Sequence, residues 1–392
     1  MAAFEKAGVS AMPSFYEFFA GGGMVRAGLG PEWRCLFAND FDHKKGRVYR
    51  QNWGATELKT ADVGSLTPKD IPGAANLAWA SFPCQDLSLA GGGAGLKGDR
   101  SGTFWPCWNL MKGFINEGRA PNLIVLENVC GTLNSHDGKD FATICDGFQQ
   151  ARYAVGALVV DAELFVPQSR PRLFVIGVQE DAKLPESLMA KGPLDPWHTR
   201  TLKAAYEKLA PKTKRGWIWR NLPLPPKRKV SFADVIEETP SSASWFTAEE
   251  TRRLLAMMSP INRAKVIEAK RQGRRIIGGV YKRTRSNEKG HKVQRAEVRF
   301  DDVSGCLRTP AGGSSRQVIV VVDRQSVKAR LISSRETARL MGLQDDYILP
   351  ENYNEAYHLT GDGVVVPVVR HLAEHIFEPV LDVVQPRTTV AA

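Results

Sequence analysis

The 392 residues carry 53 Lys and Arg against 42 Asp and Glu, a net charge of +11, with 43% hydrophobic residues and nine Trp. This is the composition of a globular chain, not a disordered one, and its length exceeds one ordinary core, so two domains are expected. No run long and apolar enough to cross a membrane occurs, and the first residues lack a charged-then-apolar leader, so a soluble chain outside that export route is expected.

Six cysteines, at 35, 84, 107, 130, 145 and 306, are scattered without Cys-x-x-Cys or a Cys/His cluster at zinc spacing. That argues for free thiols in a reducing compartment and against a structural metal. The charge is uneven: residues 200–329 hold 29 Lys and Arg against 12 Asp and Glu, a net of +17, leaving −6 for the rest. A basic segment attached to a mildly acidic body points to a polyanion such as nucleic acid; a solvated basic face is the plainer alternative.

In chain order, residues 1–13 read as a poorly ordered leader. Ser14–Phe19 is strand-like and runs into Ala20-Gly21-Gly22-Gly23 and then a helical pattern through Val25 and Leu29. Strand, glycine turn and helix open a nucleotide-type α/β fold, in which glycines let the backbone approach a ligand closely. A second strand, Trp33–Ala38, ends in Asn39-Asp40-Phe41-Asp42. Asp40 falls 19 residues after Gly21, about where such folds place an acid on ribose hydroxyls. A third segment ends at Asp62-Val63. The three strand ends suggest an adenosyl ligand without separating S-adenosyl-L-methionine from a dinucleotide.

The apolar run Asn76–Trp79 then leads to Ala80-Ser81-Phe82-Pro83-Cys84-Gln85-Asp86-Leu87-Ser88. Cys84 therefore lies in a loop at a strand's end, where open α/β sheets put their ligands, and Pro83 stiffens the turn that presents it. The plainer reading of Cys84 is a small buried hydrophobe. Gly91–Gly95 suggests a mobile loop beside it. A helix through Leu110 and Phe114 follows, then the apolar strand Leu123–Leu126 ending in Glu127-Asn128-Val129. A carboxylate there is either a satisfied structural acid or one poised for proton work. Gln168-Ser169-Arg170-Pro171-Arg172 enters the strand Leu173–Gly177, with its two arginines on one side, suited to a phosphate, a carboxylate or Glu127.

Composition shifts at 180–230 to prolines, basic residues and Trp197, Trp217 and Trp219, which places a domain boundary near 185. One helix is expected from Thr247 to about Lys270, capped by Thr247 with Glu250. Strands are expected near Arg275–Tyr281, Ala296–Phe300 and Val318–Val322. Between the last two, Arg308, Thr309, Gly312, Gly313, Ser314, Ser315 and Arg316 form a loop suited to phosphate and base-edge contacts, or a plain hairpin tip. Ser333–Glu336 opens a helix to Met341, and a last amphipathic helix runs through Val369, Leu372, Ala373 and Ile376.

Taken together, Phe19–Gly23, Pro83-Cys84-Gln85, Glu127-Asn128-Val129, Gln168-Ser169-Arg170-Pro171-Arg172, Arg335-Glu336 and Gly361-Asp362-Gly363 resemble, in order, the motif series of the cytosine-C5 DNA methyltransferases. The resemblance implies an α/β, Rossmann-like S-adenosyl-L-methionine-dependent catalytic domain with a mixed, mostly parallel sheet and a smaller irregular target-recognition domain. Residues 1–185 and 330–392 would form the first, its last helix returning beside the glycine turn, and 186–329 the second. It implies Cys84 as nucleophile on cytosine C6, Glu127 on the N3/N4 edge, Arg172 on the O2 side, and Arg170 holding the flipped nucleotide's backbone or the catalytic loop. The cofactor, released as S-adenosyl-L-homocysteine, would meet Phe19, Ala20, Gly21 and Gly23 at its methionine part, Asp40 at the ribose and Phe41 on the adenine face. Asp62, Val63, Pro83, Thr103, Asp362, Gly363 and Val364 would complete the pocket. Gln85, Ser88 and Gln168 would join Arg308–Arg316 on DNA.

The implied partner is double-stranded DNA, met by a cytoplasmic monomer, with room for a restriction endonuclease acting separately. Three positions depart from the family pattern: Met24 for a frequent Gly, Asp40 for a frequent Glu, and Asp362 for the usual Asn. The last puts a carboxylate beside the expected methionine site and leaves cofactor affinity open. The alternatives are a tRNA cytosine-C5 methyltransferase, against which the large basic region stands, and a silent DNA-binding relative, against which Cys84, Glu127 and Arg172 stand.

Overall fold

The computed structural model describes residues 12–83, 101–182, 184–286, 290–309 and 316–384. Most of the expected leader, Cys84, Gln85, Ser88, the run Gly91–Gly95, and Gly312 to Ser315 lie outside these residues. Among the described residues no helix is long and apolar enough to cross a membrane.

Seven strands, β1 (Ser14–Phe18), β2 (Arg34–Asp40), β3 (Leu58–Thr60), β4 (Leu77–Ala80), β5 (Leu123–Val129), β6 (Tyr153–Asp161) and β7 (Pro171–Gln179), form one sheet in the order β3-β2-β1-β4-β5-β7-β6. The pairs from β3 to β5 are parallel, and β7 runs antiparallel to both β5 and β6. The sheet is mixed and mostly parallel, as expected. Its strands are near-continuous apolar runs because both faces are covered. Successive side chains alternate between faces: Leu77 and Trp79 join the core that includes Val369, Leu372 and Phe377, while Ala78 and Ala80 join the one that includes Phe104, Trp108 and Phe141.

The strand order decides where a site can form. From β1 the chain moves outward through β2 to β3, then crosses back to β4 on the other side of β1. This reversal leaves a crevice at the carboxyl ends of β1 and β4, where doubly wound sheets bind ligands. It puts the glycine turn after β1 next to Ser81–Pro83 after β4, and Phe18 pairs with Ala80 across the gap. β5, ending in Glu127–Val129, is the next strand along.

The carboxyl-terminal helices pack near the first helix of the sheet domain. Of the last helices, Val366–Leu372 and Glu378–Val384 with a wider turn between them, the first lies against α1 (Met24–Leu29). A Cβ on Gly28 would collide with Val369, Arg370 Nη1 donates to Leu29 O at 2.8 Å, and Trp33 Nε1 donates to Glu378 at 3.0 Å.

Two expectations are corrected. The stretch after 185 is not a separate domain at its start. Leu188, Trp197, Leu222, Phe232 and Val235 are buried in the core with Trp79, and Leu202 and Leu209 in the core with Trp108. Backbone bonds join Val155 of β6 to Gly216 and Ile218 at 3.0 and 2.8 Å. The independent core begins later. It lies in a four-stranded antiparallel sheet, Lys292–Arg299, Arg275–Ser286, Val318–Asp323 and Ser326–Leu331 in spatial order, and buries Leu254, Met258, Val266, Val280, Val298 and Val320. The prolines of 180–230 mark a chain laid along the catalytic body, not a linker.

The single helix expected from Thr247 is two, Ala248–Ala256 and Pro260–Arg271. Pro260 disfavours helical backbone at Ser259 and lacks the N–H a continuing helix needs. Ser259 instead caps the second helix, accepting from Asn262 N.

Candidate active site

At the carboxyl end of β5, Glu127 pairs across to Phe174 of β7, and Val129 to Arg172. Arg172 Nε lies 3.3 Å from Glu127 Oε1, with side-chain exposures of 16% and 8%. The pair is sheltered enough for its charges to act strongly, yet Arg172 still reaches solvent. Asn128 points the other way. Its Nδ2 donates to Phe82 O at 3.1 Å, and its Oδ1 accepts from Val129 N and Thr132 Oγ1. Asn128 thus ties the exit of β4, just before Pro83, to the strand that carries Glu127.

Arg170 is 2% exposed. It donates through Nη1 to Leu307 O at 2.9 Å, and through Nη2 to Gly361 O at 2.8 Å and Gly363 O at 2.7 Å. Asp161 Oδ1 accepts from its backbone N at 2.7 Å. Expected on the flipped nucleotide or the catalytic loop, Arg170 is instead a positioning residue that spends its donors on main-chain carbonyls. Gln168, expected on DNA, is fully buried. Its amide donates to Leu340 O at 2.8 Å and accepts from Leu307 N at 3.0 Å. Both of its polar ends are satisfied inside the protein, so it clamps segment 304–309 from within.

The same segment brings in Cys306, which sequence reasoning passed over. Arg170 Nη1 lies 3.4 Å from its sulfur and Arg172 Nη2 3.9 Å. Burial pushes this thiol up, but Arg170, Arg172 and Arg308 outweigh burial and hold it below the usual cysteine value. Its place beside Leu307-Arg308-Thr309 was the available signal.

On the other side of the crevice, Phe19 adopts φ 58°, Gly21 φ 56° and Gly23 φ 78°, left-handed backbone that glycine accepts readily. Asp40, 5% exposed, holds this turn, accepting from Gly21 N and Asp42 N at 2.8 Å each. Burial raises its pKa above the ordinary carboxylate value. Asn39 Nδ2 donates to Lys59 O and Ala61 O, which brings Asp62 into the same rim. Asp62 accepts from Gly64 N at 2.6 Å, Val63 is buried, and Phe41 is 66% exposed. Side chains at Gly22 and Gly23 would collide with Tyr347 and Trp53, whereas a Cβ on Gly21 would meet no atom within 4 Å. The turn therefore packs tightly on its inner side and is open on its outer side. That shape, with a buried acid at the next strand end, fits an adenosyl ligand.

Thr103 precedes the helix Phe104–Asn116, and Val364 is 4% exposed. Gly363 abuts Met24, where a Cβ would strike the sulfur, so the larger residue in the glycine loop fills space next to Gly363. Asp362 Oδ2 lies 2.7 Å from Lys45 Nζ, and its Oδ1 accepts from Thr309 Oγ1. Lys45 was not anticipated; an acid replacing a neutral residue calls for a cation, but nothing local says which. Of the candidate DNA contacts, Arg308 is exposed and Thr309 half-buried. Arg316 packs over Tyr353 and donates to Asn354.

Comparison with known proteins agrees with this geometry. The family described as C-5 cytosine-specific DNA methylase matches residues 14–378. The Type II methyltransferase M.BsuFI of Bacillus subtilis is 23% identical over 380 residues, spanning 96% of this chain and 76% of the relative. The Type II methyltransferase M.SsoII of Shigella sonnei is 24% identical over 363 residues, spanning 92% and 79%. The crystal structure of the S. pombe Dnmt2 methyltransferase superposes with a TM-score of 0.57 at 17% identity, covering 94% of this chain and 99% of that one, a likeness of fold.

Proposed function

The chain belongs to the C-5 cytosine-specific DNA methylase family, and from that premise we propose that it methylates cytosine within one short DNA sequence, using a covalent intermediate on a base rotated out of the duplex. The observation that carries this reading is the sheltered Glu127–Arg172 pair, tied through Asn128 to the strand that leads into Pro83-Cys84.

Cytosine C5 is a poor nucleophile until C6 is attacked. The Cys84 thiolate adds to C6, and the displaced electron pair moves into the ring. Glu127 meets the N3/N4 edge and supplies a proton there, while Arg172 steadies charge on the O2 side and keeps Glu127 oriented. After transfer, loss of the C5 proton to solvent expels the Cys84 thiolate, and return of the ring-edge proton to Glu127 restores the neutral aromatic base. Attack perpendicular to the ring requires the base to leave the stack. Arg170 and Gln168 act one step back, holding the main chain of 307 and of 361–363 in register.

Bound S-adenosyl-L-methionine supplies an electrophilic methyl on a sulfonium. Phe19, Ala20 and Gly21–Gly23 would receive its methionine part, Asp40 its ribose hydroxyls, and Phe41, Asp62 and Val63 its adenine. Pro83, Thr103, Gly363 and Val364 would close around it. Residues from about Trp245 to Leu331 form the target-recognition unit, with Arg308 and Thr309 at its junction with the catalytic body. The name shared by the relatives, Type II methyltransferase, supports a modification role beside a restriction endonuclease.

The test is base-resolution mapping of 5-methylcytosine in DNA from a methylation-free host expressing the chain, alongside Cys84→Ala. Methylation confined to one sequence context and abolished by Cys84→Ala is expected. A fully active Cys84→Ala protein overturns the mechanism, and unmodified DNA from a folded wild-type protein overturns the DNA reading.

A further inference from the structure

Asp362 stands where the family usually has Asn, and two partners from distant segments hold its carboxylate. Lys45 Nζ lies 2.7 Å from one oxygen, and the Thr309 hydroxyl donates to the other. Lys45 sits in the first turns of α2 (His43–Trp53), whose N-cap is Asp42, two residues after the Asp40 that anchors the glycine turn. Thr309 follows Cys306, Leu307 and Arg308 at the junction with the recognition unit. Asp362 ends the helix Tyr353–Asp362. One carboxylate therefore joins the cofactor side, the DNA side and the carboxyl-terminal segment.

Other contacts follow the same line. Arg170 binds Leu307 O on one segment and Gly361 O and Gly363 O on either side of Asp362. A Cβ on Gly361 would come within 3.3 Å of Thr309 N, so the helix end and the 306–309 segment already approach closely. Burial would push the Asp362 carboxyl up, but Lys45 and Thr309 hold it below the ordinary carboxylate value, so it is an anion. The side chains are 20% exposed for Lys45 and 42% for Asp362. An ion pair that exposed contributes little to stability. Its consequence lies in geometry.

We propose that Asp362 is a positioning residue which, through Lys45 and Thr309, couples cofactor binding to DNA binding. When the cofactor orders the Asp40–Lys45 region, Lys45 fixes Asp362, and Asp362 fixes Thr309 and its neighbour Arg308 where DNA meets the body. Binding couplings are reciprocal, so DNA tightens the cofactor by the same factor. Asp362 thus acts as a latch already neutralised by Lys45, not as a charge aimed at the cofactor's carboxylate. The inference rests on the function proposed above and adds a role to a position where this chain leaves its family's pattern.

The experiment measures the dissociation constant of a duplex bearing the mapped sequence, with and without saturating S-adenosyl-L-homocysteine. The wild type is expected to bind DNA about tenfold more tightly with the ligand, within the usual range of such couplings. Asp362→Ala and Thr309→Val should each bring that ratio below about twofold. Asp362→Asn, which keeps an acceptor for Thr309 but loses the ion pair, should lower it in part. The double variant Lys45→Gln with Asp362→Asn should restore it through a neutral amide pair. A direct DNA contact by Thr309, or general loosening, would weaken both dissociation constants alike and leave their ratio unchanged. A ratio of one in the wild type, or a wild-type ratio retained in Asp362→Ala and Thr309→Val, overturns the latch while the functional reading stands. Failure of the wild type to bind S-adenosyl-L-homocysteine overturns the reading and the latch with it.

Discussion

A carboxyl group beneath the glycine turn shows how much of this site is set by single buried atoms. Glu17, in β1, is 1% exposed. One of its oxygens accepts from Val25 N at 3.2 Å, and the other meets no donor among the described residues. Burial raises its pKa from 4.5 to about 8. Between those values the native state holds a proton that the unfolded chain releases, so each pH unit upward weakens the fold by as much as about 1.4 kcal/mol, and the effect is complete above pH 8. Glu17→Gln cannot titrate. Thermal unfolding at pH 5 and pH 8.5 should therefore show the variant gaining on the wild type as pH rises, and a pH-independent difference would mean Glu17 is already ionised. This acid passed unnoticed in the sequence because Ser14–Phe19 reads only as an aromatic strand. Glu127 and Arg172 were legible because each closes or opens an apolar run. Gln168 and Arg170 were legible as motif residues but not in the roles they play, and Lys45 was not legible at all, since the partners that set those roles lie 137 to 317 residues away.

Helix boundaries followed the chemistry of caps more faithfully than the length of apolar runs. Thr247 and Glu250 form the expected box, with Thr247 N donating to Glu250 at 2.7 Å and Glu250 N to Thr247 at 3.1 Å. The helix it opens stops where Ser259-Pro260 starts another. Ser333 and Glu336 form the same box at the start of Ser334–Leu340, but in a different setting. Glu336 is fully buried, takes two bonds from Arg330 at 2.6 and 2.8 Å, and accepts from Glu237 N at 2.7 Å. Identical local sequence logic therefore predicts unequal costs. Thr247→Ala loses an exposed cap, about 1 kcal/mol. Glu336→Ala leaves the Arg330 guanidinium buried and unpaired, about 3–5 kcal/mol. Denaturant unfolding of the two variants checks the contrast, and equal losses would show that Arg330 finds water or another acceptor. Arg335-Glu336 was noticed as a motif; that it fastens the recognition sheet to the body appears only once Arg330, the penultimate residue of that sheet's last strand, is in place.

The layout of the whole molecule was legible where it depends on strand order and obscure where it depends on what a proline-rich stretch packs against. Alternating strands and helices imply a doubly wound sheet, and a doubly wound sheet implies a crevice at its reversal. Both are present. Composition, however, changes at 185 while the core does not. Trp197 is 2% exposed, belongs to the core that holds Trp79 and Phe174, and donates to Leu222 O at 2.6 Å, while its own carbonyl accepts from Val159 N of β6 at 2.9 Å. A boundary at 185 would put this residue in the recognition unit, where its loss would spare the cofactor site. The structure makes it part of the catalytic body. Trp197→Ala should therefore lower the stability of the sheet by about 3–5 kcal/mol, as core truncations of large aromatics do. Binding of S-adenosyl-L-homocysteine, followed as temperature rises, reports on that body directly. It should be lost at a lower temperature in Trp197→Ala than in the wild type. Val230→Ala, which truncates an exposed residue of the same stretch, should leave that temperature unchanged. An unchanged temperature in Trp197→Ala would return residues 186–236 to the recognition unit and restore the boundary that composition suggests.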